Sequence, residues 1–576
     1  MKARAVRGLL AAMVTMLIAT SCSGGSGPEL SDDTIPPATP EQTPTAEADT
    51  TPTATPEATP EPTPPAPEIP CTAPRPDSRV TWATFGETAS LDPTRSSGAF
   101  LGGTEMAALY DVLMRRDPAT GDWVPQLAES LTPDETATSW TLVLRDGITF
   151  DSGAALDAEA VVASFGRFAD SDIRNPARAT VTVVDTVTVV DSRTVRFDLV
   201  RPWWDFPSLL ADEPGMIVDT AVIDALGERY GSQPVGGGVG PYRFETWTPG
   251  RELVLRARDD YWAGPVCVET LRFVFVPGPG ATAEVFAEGT LDVAYLRGPD
   301  SGVDIAREAA TGEWTELLGS ASVLLVNHGA RGSTPATADQ RLRRAIALAV
   351  DPEAVVAAAD DPALVATDVV LHPDQQLWSQ ALADAGPRAG LEDPAVEAAD
   401  LVAEVLAEAA DADPDVVPIR LVCPNDRRAE AETVADALSA VGFEVDLEIV
   451  ASVIGVVDAV VAADYDLACW DLSLADPALG TQLRADLSSA SGANRSGIGI
   501  GALDDLLDTL DATRDVDERR GVVAEIGAIV ADRIPWVPLA ARQDALVWAD
   551  PVSGIVPVSA GVYSVAALDV VGPSED

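Results

Sequence analysis

The chain has 576 residues, with 38 Lys and Arg against 91 Asp and Glu, a formal net charge of −53. That length can bury a large core and divide into two or three domains, and 46% hydrophobic with 22% charged residues excludes a wholly disordered chain. The charge excludes ordinary nucleic-acid binding, and the near-absence of lysine (Lys2 alone) excludes a Walker-type phosphate loop, a Schiff base and a Ser-Lys dyad from the folded body.

Lys2, Arg4 and Arg7 precede an apolar run from Leu9 to Ile18. Such a run is too short to span the ~30 Å hydrocarbon layer, so it reads as an export signal. It closes on Ala19-Thr20-Ser21-Cys22, which resembles the lipobox of bacterial lipoproteins. That resemblance implies a signal peptide over residues 1–22, lipid on Cys22 and a mature protein held to the outer face of the cell membrane. A soluble secreted protein cut nearby is the alternative. Residues 23–70 hold 13 Pro and 10 Thr with no Lys or Arg, a composition that cannot bury apolar area. We read 23–78 as a disordered tether, with the folded body starting at Arg79.

With Cys22 lipidated, four cysteines remain outside the reducing cytosol, which favours two disulfides. Cys423 and Cys469 lie on separate strand-like runs that could be neighbours in one sheet, leaving Cys71 for Cys267. His328 and His372 are the only histidines and no cysteine pair has metal-ligand spacing, so no metal site or cofactor is expected.

Along the body, Val80–Phe85 is strand-like, and Trp140–Leu144 followed by Ile148–Phe150 across a Gly turn predicts a hairpin. Asp157–Phe168 has helical spacing with Asp157 as N-cap. Val181–Val184, Val187–Val190 and Val195–Leu199 predict strands. The Gly-rich turn Gly236–Gly240 predicts positive φ and close backbone approach before strands at Tyr242–Trp247 and Leu253–Ala257. From Arg341 onward helices (341–350, 395–410, 429–441, 503–510, 517–531) alternate with strands (419–423, 444–450, 465–470), predicting an α/β lobe with a mostly parallel sheet.

In order, these segments resemble the family 5 extracellular solute-binding proteins, which serve ABC importers for oligopeptides, dipeptides and nickel. The resemblance runs from about Val80 to Val547. It is carried by Ser90-Leu91-Asp92-Pro93, by Pro125–Ser130, by Trp140–Phe150 against W-T-F-x-L-R-x-G-V-x-F, and by Gly240–Phe244 against G-P-Y-x-F. Asp260-Tyr261-Trp262, Glu288–Ala294 and Arg343–Asp351 complete the series. It implies a two-lobed α/β clamp that closes over its ligand: lobe one from 79 to 317 with a small inserted subdomain at about 116–199, lobe two from 318 to 535, and a C-terminal return to lobe one over 536–576. It also implies a monomer that is not an enzyme and that works with the permease subunits of an importer.

In the peptide-binding branch, an Asp in a G-W-x-x-D-like segment pairs the ligand's α-ammonium. The matching stretch is Cys469–Pro477, where Trp470 aligns but the amine-binding place falls on Ser473. Asp471 lies two residues away on the same strand face and is the substitute we assign, with Trp470 packing beside the ligand and Asp476 nearby. Ser97, Gly98 and Ala99 would form the facing wall, and Asn327 and Asn494 would lie near the cleft. A short peptide is the expected ligand. A metal chelate, another small solute, or a sensor or scaffold lipoprotein that has kept the fold are the alternatives.

Overall fold

The computed structural model describes residues 73–570 apart from 85, 96–101, 171–172, 174–176, 298–301, 362, 409–415, 475–478 and 560. The expected export signal, the lipidated Cys22, the tether as far as residue 72, Cys71, Ser97, Gly98, Ala99 and Asp476 lie outside the described residues. The expected tether boundary at 78 is too late: residues 75–78 already belong to the first strand, where Arg75 pairs with Val268 and bonds Asp569.

Branched and aromatic residues form β1 (Arg75–Thr84), and the chain enters α1 (Gly103–Tyr110), which is buried along its whole length. A four-stranded antiparallel sheet follows from β2 (Ala128–Pro133), β3 (Ser139–Leu144), β4 (Val184–Val189) and β5 (Thr194–Leu199), in the order β2-β3-β5-β4. The helix α2 (Ala158–Ala169) covers it, with the Asp157 carboxylate accepting from the Ala160 amide as predicted. Leu142, Phe165, Phe197 and Phe206 share the core beneath. Two expectations fail here. Ile148–Phe150 does not pair with β3, which is already flanked by β2 and β5; both residues are buried in the core, and Thr149 makes only an isolated bridge to Ala155. Val181 ends a short helix, Arg178–Val181, so the valines from 184 to 189 form one strand rather than parts of two.

The main sheet has eleven strands. Its first half uses β6 (Tyr242–Thr248), β7 (Glu252–Ala257), β8 (Val268–Phe275) and β9 (Val293–Leu296), with β1 parallel to both β8 and β9. The Gly-rich turn before β6 behaves as its composition predicts: Gly236 has φ +88°, and a Cβ on Gly240 would fall 2.4 Å from the Ala108 carbonyl oxygen of α1.

The fifteen-residue β10 (Gly312–Val326) leads into α3 (Gln340–Ala349), a short β11 (Leu364–Ala366) and α4 (Pro394–Glu408). Next come β12 (Val417–Pro424), α5 (Arg428–Ala440), β13 (Phe443–Val450) and β14 (Leu467–Ser473). Helices α6 (Leu479–Leu487), α7 (Gly501–Ala512) and α8 (Val516–Arg533) precede the long return strand β15 (Trp536–Trp548). The strand order is β13-β12-β14-β10-β15-β9-β1-β8-β7-β6, with β11 paired to β15. The expected parallel sheet is confined to β13-β12-β14, because β10 runs antiparallel to both β14 and β15. Adjacent register of β12 and β14 brings Cys423 and Cys469 together in the expected disulfide, with Cα atoms 4.9 Å apart. Cys267 is also disulfide-bonded.

Two strands, β10 and β15, therefore join the halves of one sheet. On one side the core holds Val80, Trp82, Tyr110 and Phe273; on the other it holds Leu342, Ile346, Leu421 and Leu438. Among the described residues no helix is long and apolar enough to cross a membrane.

Candidate functional site

In α/β sheets ligands collect outside the carboxyl ends of parallel strands. Here two such sets meet. Strand β9 ends at Leu296, opposite Ala545 of β15, and β14 ends at Ser473, opposite Ser320 of β10, which itself opposes Arg542 of β15. Both sets of carboxyl ends thus converge on the same few residues of β15. The β10–β15 register breaks there, between Glu316 and Ser320.

Directly opposed residues in a sheet share a face, and so do residues two apart on one strand. Following the register, Asp544, Arg542, Ser322, Asp471 and Ser473 all lie on one face at this junction, with Arg297 one residue beyond β9 facing Asp544. A polar row so placed in the middle of a sheet has no packing role to explain it, since buried charges must be paired.

Arg427, just before α5, is buried and bonds the Glu430 carboxylate through two nitrogens, at 3.0 and 2.9 Å. It also reaches the Ser322 hydroxyl, and its Nη1 stands 3.4 Å from Asp471, which remains half exposed. Arg542 donates to Asp361 at 2.8 Å, both side chains being buried. Asp544 is 0% exposed; its carboxylate stands 3.5 Å from Arg297, and burial pushes it up to about 6. Among the described residues, three guanidinium groups thus face four carboxylates, a net charge of −1 when all are ionised. Such a surface suits one cation of a ligand.

At the end of β1 a small cavity is lined by Trp82, Thr84, Glu105, Tyr295 and Tyr563. Glu105, in the first turn of α1, is 4% exposed, and burial pushes its carboxyl up to about 7. Further out, the segment after β5 is tied to the second half of the molecule. Arg201 pairs with the buried Asp511 of α7 at 3.0 Å, Asp205 pairs with Arg519 of α8, and the Arg514 guanidinium lies 5.0 Å from the Trp204 ring centre.

The sequence-based site residues fare differently. Asp471 and Ser473 stand on the polar face. Trp470 occupies the opposite face together with Leu472, alternating with Asp471, and packs against the core of α6–α8. Asn327 is fully buried; its amide donates to the Tyr465 carbonyl and the Ser333 hydroxyl, while its oxygen accepts from Gly329 and Ala330. Asn494 likewise donates to the Ser488 and Ile498 carbonyls and accepts from Ser496 and Gly497. Both asparagines hold loops together. His328 bonds the Ile534 carbonyl, and burial lowers it to about 4, so it is a neutral structural imidazole. Among the described residues no cluster of three potential metal ligands occurs. Sequence reasoning missed Arg297, Arg427, Arg542, Asp361 and Asp544. A usable signal existed in Arg542-Gln543-Asp544, which interrupts the otherwise apolar run 536–548.

A family model described as bacterial extracellular solute-binding proteins, family 5 Middle, matches residues 122–494. The glutathione-binding protein GsiB of Salmonella paratyphi A is 30% identical over 136 residues, 24% of this chain and 26% of GsiB. The chain's match thus spans about a quarter of that relative's length. Among solved structures, the dipeptide-binding protein of Pseudoalteromonas sp. SM9913 in complex with Met-Leu superposes with a TM-score of 0.70 at 17% identity, covering 86% of this chain and 100% of that one. The oligopeptide-binding protein AppA of Bacillus subtilis, in complex with a nonapeptide, gives 0.69 at 18%, covering 86% and 99%. At these identities the likeness is one of fold.

Proposed function

The chain belongs to the family 5 bacterial extracellular solute-binding proteins, and from that premise we propose that it captures a short peptide between its two lobes and delivers it to an ABC importer. The family consists of binding proteins rather than enzymes. The observation that carries the ligand class is the polar row at the lobe junction, whose net charge of −1 is exposed at Asp471. Arg427 is shared between Glu430 and Asp471, one cation against two carboxylates, so a negative charge remains at the half-exposed Asp471 for the α-ammonium of a peptide. Ser473, beside it on the same face, offers a hydroxyl. Residues 97–99 are proposed as the facing wall, donating and accepting backbone hydrogen bonds in a way that tolerates different side chains.

Ligand would act by preferring the closed arrangement of the lobes, so the importer meets the loaded form. In the same reading, lipid on Cys22 and the Pro/Thr-rich segment hold the binding body outside the cell membrane as a monomer. Native mass spectrometry of the protein purified without unfolding tests the ligand class. Co-purifying peptides are the expected result, and an adduct that is consistently a sugar, a metal chelate or another non-peptide solute would replace the reading.

A further inference from the structure

Three buried carboxylates elsewhere in this molecule have well-placed donors. Asp111 accepts from the Tyr261 hydroxyl, the Trp262 indole and the Gln126 amide. Asp361 accepts from Arg542 and the Ala363 amide, and Asp511 accepts from Arg201 and Arg484. Asp544 differs. Both of its oxygens are buried without a hydrogen-bond partner, and Arg297 approaches only to 3.5 Å. Unpartnered buried polar groups are rare in folded proteins and call for a specific reason.

Position supplies one. Asp544 shares its sheet face with Asp471 and lies where the carboxyl ends of the two strand sets meet. We propose that Asp544 is a specificity-determining residue: with Asp471 it accepts hydrogen bonds from the ligand's ammonium, each carboxylate taking one of the three N–H donors. This rests on the peptide reading above. It explains how the site can hold an amine although Ser473 has no charge, and one ammonium neutralises the net −1 of the row.

The pair gives binding a pH signature. Burial is the main cause of the raised Asp544 carboxyl; Arg297 and Arg542 lower it, while Asp471 and Asp361 raise it. An ammonium placed on Asp544 favours its ionised form, so binding near pH 6 releases a proton, and affinity falls as pH drops through about 6.

The test is calorimetry at pH 5 to 7.5 with the tripeptide that binds wild type tightest in an X-Ala-Ala panel, and with its N-acetyl form. Asp544→Asn, nearly isosteric, should bind the free-amine peptide at least tenfold more weakly at pH 7.5. It should also lose the wild-type fall in affinity toward pH 5. Wild type alone should release a proton on binding at pH 6, read from buffers of different ionisation enthalpy, so the proposal remains testable if the variant folds poorly. Unchanged affinity in Asp544→Asn, or a flat wild-type pH profile, would overturn it. If Asp471→Asn weakens binding while Asp544→Asn does not, only this proposal fails. If wild type binds no free-amine peptide, the peptide reading fails first and takes the proposal with it.

Discussion

Taking a carboxyl group out of water favours its neutral form, and Glu105 carries that effect at the end of β1. Burial pushes it from an ordinary value of 4.5 up to about 7, a shift equivalent to roughly 3 kcal/mol. The folded protein therefore holds this proton more tightly than the unfolded chain. Stability is full below about pH 4.5 and declines as pH rises to about 7. Asp486, which burial also pushes up to about 7, adds to the same slope. Glu105→Gln should thus melt above wild type at pH 8 and close to it at pH 4.5. Equal melting points at pH 8 would mean that the Glu105 carboxyl is not held in an apolar setting. At this scale the sequence was only partly legible. Asp471 could be proposed from sequence because it sits inside a recognisable local motif. Asp544 could not be matched to it, because the two are joined only by strand register across β14, β10 and β15. The asparagines misled for a related reason: a side chain that organises its own loop looks, in sequence, like one that waits for a ligand.

Elements with strong local signals were read closely. The caps and apolar spacing of 157–168 and 341–350 fix helices without help from the rest of the fold. The hairpin at Ile148–Phe150 failed because β3 has both edges taken by strands distant in sequence, which no local pattern reveals. The tie between the segment after β5 and helices α7 and α8 was equally invisible, since Asp205 and Arg519 are far apart in the chain. Both side chains are largely buried, so their interaction is screened less than that of a surface pair. A double-mutant cycle with Asp205→Ala and Arg519→Ala, followed by thermal unfolding, should give a coupling of about 1–3 kcal/mol. A coupling near zero, as exposed pairs often show, would contradict a buried tie there.

For the whole molecule, the charge of −53 points to a body that attracts cationic solutes and repels anionic ones at low salt. The two-lobed fold was legible because seven motifs recur in a fixed order. The meeting of the lobes was not, because a continuous sheet crossing between them appears only in the strand order. Anchoring gives one prediction at this scale: Cys22→Ser should move the protein from the membrane fraction to the medium without altering its melting point. A variant that still sediments with membranes would reject lipid on Cys22. The central claim, that the cleft holds a peptide by its amine at Asp471, is tested most directly by isothermal titration of wild type and Asp471→Asn with a tripeptide panel in free-amine and N-acetylated forms. We expect wild type to bind the free-amine members, the acetylated ones to bind far more weakly, and Asp471→Asn to lose roughly 2–5 kcal/mol, the cost of truncating a charge partner once ligand and lobe closure bury the now half-exposed carboxylate. Equal binding of acetylated peptides, or an undiminished affinity in the variant, would contradict it.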